Sequence, residues 1–224
     1  MIKVSEIYFF YSMRFFTLLL ALASTQLAHA QLFTATAVGS YVLRASPQVR
    51  QQGGLYLRSS DQLVVSDLAG KKTSFSPQQV SSFQIDKQRF VATAGFQLPS
   101  SFHNAYVTSA FAELLDSGQV VLLRYQTPPN TAATRGNIGY DNAAGQQVYL
   151  LRFASTPDLT PIPASWSKKS TRYQAAIRPY LASRPDLIQL LEANRLAPKQ
   201  LPFIIYLLNN NLPYSTASER AAAK

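Results

Sequence analysis

Ala110-Phe111-Ala112-Glu113-Leu114-Leu115-Asp116-Ser117-Gly118-Gln119-Val120-Val121-Leu122-Leu123-Arg124-Tyr125 decides the fold. Taken alone, Ala110–Leu115 has the composition of a helix. The Asp-x-Gly step that follows, with a second apolar run behind it, is the signature of a hairpin. The hairpin reading makes Ala105–Leu115 and Val120–Tyr125 neighbouring antiparallel strands, and it sets the chain around them as sheet. Upstream, Leu55-Tyr56-Leu57-Arg58 and Leu63-Val64-Val65 flank a polar turn, Ser59-Ser60-Asp61-Gln62. A second turn falls at Asp67–Lys72. Ser76-Pro77 predicts a single helical turn, with serine as cap and proline in the first position. Val80–Ile85 and Phe90–Phe96 make two further strands across Asp86-Lys87-Gln88.

Downstream the character changes twice. Residues 126–146 are rich in Pro, Gly, Asn and Thr and poor in large apolar side chains, which predicts a long loop before the strand Gln147–Phe153. Residues 155–165 hold Pro157, Pro161 and Pro163 and read as a spacer. Beyond it the apolar period moves from 2 to about 3.6. A first helix spans Thr171–Ser183, broken or kinked at Pro179. A second opens at Ser183-Arg184-Pro185-Asp186, carries Leu187, Leu190 and Leu191 on one face and stops at Asn194. A third opens at Ala197-Pro198-Lys199, with Phe203, Ile204, Leu207 and Leu208 as its stripe. The expected fold is therefore α+β: a strongly bent antiparallel sheet of about six to nine strands, a partial barrel or roll, followed by a small cluster of two or three helices. The expected divisions are a β-rich part at 31–154, the spacer at 155–165, a helical segment at 166–211 packed on the sheet, and a flexible tail at 212–224.

The first thirty residues predict where the protein works. Arg14 precedes the apolar run Phe15–Ala23, and Ala28-His29-Ala30 stands just before Gln31. A charged start, a short apolar core and an A-x-A site in that order make a secretory leader, with cleavage expected after Ala30. The run is too short for a span, which needs about 20 apolar residues. Met13 alone would open an ordinary leader, which leaves residues 1–12 as an upstream extension; the other reading is a long start at Met1. The expected location is the periplasm or the exterior, with no transmembrane span.

Composition narrows the chemistry. The chain carries 21 Lys+Arg against 11 Asp+Glu; loss of Lys3, Arg14 and Glu6 with the leader leaves 19 against 10. There is no cysteine, so neither disulfides nor thiol catalysis enter. Past the leader His103 is the sole histidine, which argues against common zinc, copper and iron sites and leaves any serine nucleophile with one candidate base. Glycoside hydrolysis needs two carboxylates about 5–9.5 Å apart. Glu113 and Asp116 are close in sequence, but Asp116 belongs to the turn. The glycines match neither nucleotide-binding fingerprint, and no cofactor is expected.

The basic helical segment offers the one local cluster. Residues 165–199 hold seven cations against two acids. Trp166, Lys168, Lys169, Arg172, Tyr173 and Arg178 form a candidate ligand-binding face, in which cations hold phosphate or carboxylate and aromatics stack on sugar or base. The competing reading is the solvated side of helices that pack on the sheet, with Trp166 as a plug over the core. The functional expectation is an exported, non-enzymatic protein that binds an anionic envelope component or a partner protein. Nucleic acid is disfavoured by export. The alternatives are a hydrolase whose Ser/His or carboxylate site only the fold assembles, and a structural subunit of an envelope assembly.

Gly54-Leu55-Tyr56-Leu57 with Ser60-Asp61, Val80-Ser81-Ser82-Phe83-Gln84-Ile85, Phe111–Val120, Gln147-Val148-Tyr149-Leu150 and Ser183-Arg184-Pro185-Asp186-Leu187 occur in an order that resembles a family of uncharacterised exported bacterial β-rich proteins with a C-terminal helical segment. The resemblance covers most of residues 54–210. Ser60-Asp61 stands where the similar proteins often carry Gly-Asp, and Leu208-Asn209 where they often carry Tyr-Asn. It implies export and a β-then-α architecture, and it assigns no activity and no site residue.

Overall fold

The computed structural model describes residues 37–99, 105–127 and 145–214. The leader, His103, most of the 126–146 loop and residues 215–224 lie outside the described residues. Ten strands form one antiparallel sheet: β1 (Ala37–Leu43), β2 (Arg50–Ser59), β3 (Gln62–Ser66), β4 (Lys72–Phe75), β5 (Val80–Ile85), β6 (Gln88–Leu98), β7 (Ala105–Asp116), β8 (Val120–Gln126), β9 (Gln147–Phe153) and β10 (Thr160–Pro163). Their order is β10-β9-β8-β7-β6-β5-β1-β2-β3-β4, so every step follows the chain except at β1, which lies between β5 and β2. The expected bent antiparallel sheet followed by helices is the observed fold, with one strand more than the expected upper number among the described residues.

The sheet coils in two senses. Over β1–β7 one face closes around Tyr41, Leu55, Leu63, Val80, Phe83 and Phe90. Phe83 stacks on Phe90 with centroids 4.7 Å apart and meets Phe111 edge-on at 5.0 Å, an arrangement aromatic quadrupoles favour. Over β6–β10 the opposite face closes around Phe96, Ala110, Ala112, Val121, Leu123 and Leu150. Alternation along β7 sends Phe111 into the first roll and its neighbours Ala110 and Ala112 into the second. Pairing of β7 with β8 starts only at Glu113, opposite Arg124. The open β7 edge is closed from the far end of the sheet, where the Phe111 N–H donates to the Ser60 carbonyl at the β2–β3 tip, 2.6 Å away. The first roll is therefore stitched, not fully laddered.

β8 and β9 are buried on both faces, which explains their near-continuous apolar runs. Val121, Leu123, Val148 and Leu150 face the second roll, and Val120, Leu122, Tyr149 and Leu151 face the helices. Those helices are α1 (Thr171–Ile177), continued by a 3-10 turn at Arg178–Leu181, α2 (Pro185–Glu192), and α3 (Leu201–Asn209) behind a 3-10 turn at Pro198–Gln200. The break falls at Pro179, as its ring requires. Ser170 caps α1 by accepting from the Tyr173 N–H, and Asn194 ends α2 in the left-handed region at φ 56°. Leu181, Leu187, Leu191, Leu201, Ile204 and Ile205 complete the helical core.

Two boundaries differ from the sequence reading. The proline-rich spacer contains β10, which pairs with β9 through Thr160, Pro161, Ile162 and Pro163. Proline has no N–H to give a ladder, and β10 is an edge strand that needs none on its outer side. The tail is docked at its start. Leu212 N–H donates to the Leu207 carbonyl, and Tyr214 packs edge-on against Phe203. Arg184 holds both segments, donating from Nη1 to the Leu207 carbonyl and from Nη2 to the Leu212 carbonyl. Asp186 clasps the same guanidinium at 2.7 and 2.9 Å. That hydrogen bond holds the Asp186 carboxyl below its ordinary pKa.

Tyr173 is fully buried in the helical core, and its hydroxyl has no partner among the described residues. Desolvation pushes its pKa up, because the phenolate would be buried bare. A buried hydroxyl without a partner costs roughly 1–3 kcal/mol. Tyr173→Phe is therefore expected to raise the urea midpoint by an amount worth about 1 kcal/mol or more. A midpoint that falls would show that the hydroxyl is hydrogen-bonded in solution.

Candidate functional site

The cluster that local spacing suggested does not assemble. Trp166 packs partly buried against the helical core, and Tyr173 is wholly inside it. Neither Tyr173 face is available for stacking. Lys168, Lys169 and Arg172 are exposed around the start of α1, and Arg178 pairs with Glu192 at 2.9 Å. The cations remain on the solvated side of the helices while the aromatics turn inward, as amphipathic packing dictates.

The carboxylates near the first hairpin are also committed. Glu113 stands directly across from Arg124 on β8. It accepts from Arg124 Nε at 2.8 Å and Nη2, and from Gln88 Nε2 at 3.2 Å. Asp116 accepts from Asn209 Nδ2 at 3.1 Å. Among the described residues no group of three His, Asp or Glu side chains gathers in metal-binding geometry. No helix there is long and apolar enough to cross a membrane. Exposed large apolar residues stand apart on different elements: Val38 on β1, Val49 before β2, Leu68 in the β3–β4 turn, Tyr106 on β7 and Tyr206 on α3.

A different pair of cations is brought together by the sheet. Arg44 leaves the end of β1, and Arg152 lies near the end of β9, with 107 residues between them. Both line a cleft of about 480 Å³ at the mouth of the second roll, with Thr93 of β6 and Ser155 and Thr156 of the β9–β10 connection. Arg44 Nε donates to the Pro77 carbonyl at 3.0 Å, which fixes its guanidinium against the single helical turn after β4. Arg152 Nη1 donates to the carbonyls of Phe153, Ala154 and Thr156 at 3.2–3.5 Å. Each guanidinium is thus anchored through one nitrogen, and its other N–H groups make no further hydrogen bond among the described residues. Three hydroxyls line the same space, and no carboxylate does.

Two anchored forks over a carboxylate-free cleft make a candidate anion site. A guanidinium presents donors in a plane that matches carboxylate, phosphate or sulfate oxygens two at a time, and anchoring reduces the rotamer entropy lost on binding. No nucleophile–base pair or carboxylate pair lines the cleft. Sequence reading could see Arg44 and Arg152 only as two isolated charges. Their meeting depends on β10 returning against β6, which brings the β9–β10 connection alongside Thr93.

Set against protein-family models, curated proteins and solved structures, the chain matches none.

Proposed function

We propose that this is an exported, non-enzymatic binding protein that holds an anionic component of the bacterial envelope in the Arg44–Arg152 cleft. The observation that carries the reading is the anchored guanidinium pair with its hydroxyl lining and no opposing carboxylate. The leader-like start and the excess of 21 cations over 11 acids support it: the first is what export toward envelope polymers requires, and the second suits attraction to their charge.

The test is co-sedimentation of the purified protein with isolated cell envelopes. Wild type should pellet at low salt and stay in the supernatant at roughly 1 M salt, where the screening length falls to about 3 Å. Arg44→Gln/Arg152→Gln should lose most of the low-salt binding, by about a hundredfold if each of the two charged contacts is worth roughly 1.5 kcal/mol. Its melting curve should stay close to that of wild type. Wild-type behaviour of the double variant removes the cleft from the function. Binding that survives high salt replaces the anion reading with a partner protein across a desolvated interface.

A further inference from the structure

The cleft does not end at Thr93. The sheet face that carries it continues outward over β6, β5, β1 and β2, where alternation puts Tyr41, Phe83 and Phe90 into the first roll and leaves their neighbours on the outer face. There a shallow surface groove, only about 10 Å³ in volume, is lined by Ser40 and Val42 of β1, Arg50 of β2, Ser82 and Gln84 of β5, and Arg89 of β6. The register fixes these residues as two rows. Arg50 stands opposite Val42, which stands opposite Ser82; Ser40 stands opposite Gln84, which stands opposite Arg89. Arg50 and Arg89 thus flank a strip of two hydroxyls, an amide and the Val42 side chain. They are three strand steps and two residues along the strand apart, roughly 16 Å at the usual spacings. Arg89 and Thr93 lie four residues apart on β6, roughly 13 Å along the strand. The groove therefore opens on the same face as the cleft and within one short reach of it. No carboxylate lines either depression; Asp86 stands in the turn beyond Arg89.

We infer that groove and cleft form one track for an extended acidic polysaccharide strand, with carboxylates held at Arg44/Arg152, at Arg89 and at Arg50 in turn, and sugar hydroxyls met by Ser40, Ser82 and Gln84. This rests on the cleft as the anion site and adds the ligand class. The spacing from the cleft to Arg89 and from Arg89 to Arg50 exceeds what a single small anion spans, so a ligand that uses all three positions carries repeated charge along a chain. The polar groups between Arg50 and Arg89 match a hydroxyl-rich chain. A nucleic acid strand would call for exposed rings on which bases stack; the one aromatic at the groove, Phe83, is only 2% exposed.

The experiment is a titration of the full protein with galacturonic acid, short oligogalacturonates and long polygalacturonate, repeated with polythymidylate. Three proteins are compared: wild type, Arg44→Gln/Arg152→Gln and Arg50→Gln/Arg89→Gln. Affinity in wild type should climb with chain length. The groove variant should bind long polygalacturonate about tenfold more weakly, a loss of roughly 1.4 kcal/mol, while keeping wild-type affinity for short ligands. The cleft variant should lose both. A groove variant that binds long polymer like wild type overturns the track and leaves the cleft standing. So does an affinity that does not depend on length. Tighter binding of polythymidylate than of polygalacturonate overturns the polysaccharide class. No binding of any uronate also overturns the track, and the envelope sedimentation then decides separately whether the cleft reading stands. Arg44, Arg50 and Arg89 are exposed and Arg152 is half-buried, and matching melting curves show that lost binding is not lost folding.

Discussion

Replacing Asn209 with alanine is expected to destabilise the protein by roughly 2–5 kcal/mol, because two buried backbone groups lose their partners at about 1–3 kcal/mol each. Asn209 is the last residue of α3, and its side chain spans 89 residues of sequence to the start of β8. Its Oδ1 accepts from the Val120 N–H at 3.0 Å, and its Nδ2 donates to the Val120 carbonyl at 2.8 Å and to Asp116 at 3.1 Å. Val120 is completely buried. It also follows the register shift between Leu114 and Asp116, where β7 stops offering a regular ladder to β8. The amide side chain supplies what the interrupted ladder cannot, and it fastens α3 to the sheet at the same time. The expected fall in melting temperature is roughly 10 °C, at about 2–4 °C per kcal/mol for a chain of this size.

Gly118 provides a second handle on this clamp. A Cβ there would stand 2.5 Å from Asn209 Cγ and 2.7 Å from Oδ1. Gly118→Ala should therefore displace the amide and destabilise for the same reason. The two changes should not add: in an Asn209→Ala background the Cγ and Oδ1 that Gly118→Ala strikes are gone and only the Cβ, 2.8 Å away, remains, so its cost should shrink. Equal costs in both backgrounds, read from urea midpoints, would show that Gly118 acts through its own turn and not through Asn209.

The clamp and the cleft show where sequence reading stops. The hairpin at Asp116–Gly118 was legible because turn chemistry is local, and so were the helix breaks at Pro179, Pro185 and Asn194. The strand at Thr160–Pro163 was not, because proline reads as spacer unless one already knows the strand is at an edge. Tyr173 lies among cations in sequence, which suggests a stacking platform; the helical period turns it into the core instead. Asn209 was legible only as a polar residue at the end of an apolar stripe. Arg44 and Arg152 carried no local signal at all, since what pairs them is the coiling of a ten-stranded sheet. Interactions that close over short spans leave a pattern in the chain; those set by topology do not.

Gly39→Ala is the second large effect, and it links stability to the candidate site. Gly39 sits mid-strand in β1, opposite Gly53 on β2 and Ile85 on β5. A Cβ at Gly39 would stand 2.3 Å from the Gln84 carbonyl oxygen and 2.7 Å from Leu55 Cδ1. Leu55 can adjust a rotamer, but Gln84 is backbone of a paired strand, so β1 or β5 has to move. Overpacking of a core in this way costs typically 1–3 kcal/mol and occasionally more; Gly39→Ala should fall at the upper end, near 3 kcal/mol. Gly53→Ala is the internal control, since its Cβ would meet the Ser66 carbonyl oxygen and Val65 Cγ1 at 3.0 and 3.1 Å, contacts that a shift of a few tenths of an ångström relieves. Denaturation midpoints should rank wild type above Gly53→Ala and Gly53→Ala above Gly39→Ala; the reverse order for the two variants would remove the close approach at Gln84 as the cause. Because β1 also carries Ser40 in the groove and ends just before Arg44 in the cleft, a strand displaced at Gly39 should misplace both. Gly39→Ala should therefore weaken envelope binding under conditions where it is still folded, whereas Asn209→Ala, which acts at the helical end of the sheet, should lower stability and leave binding by the folded protein intact.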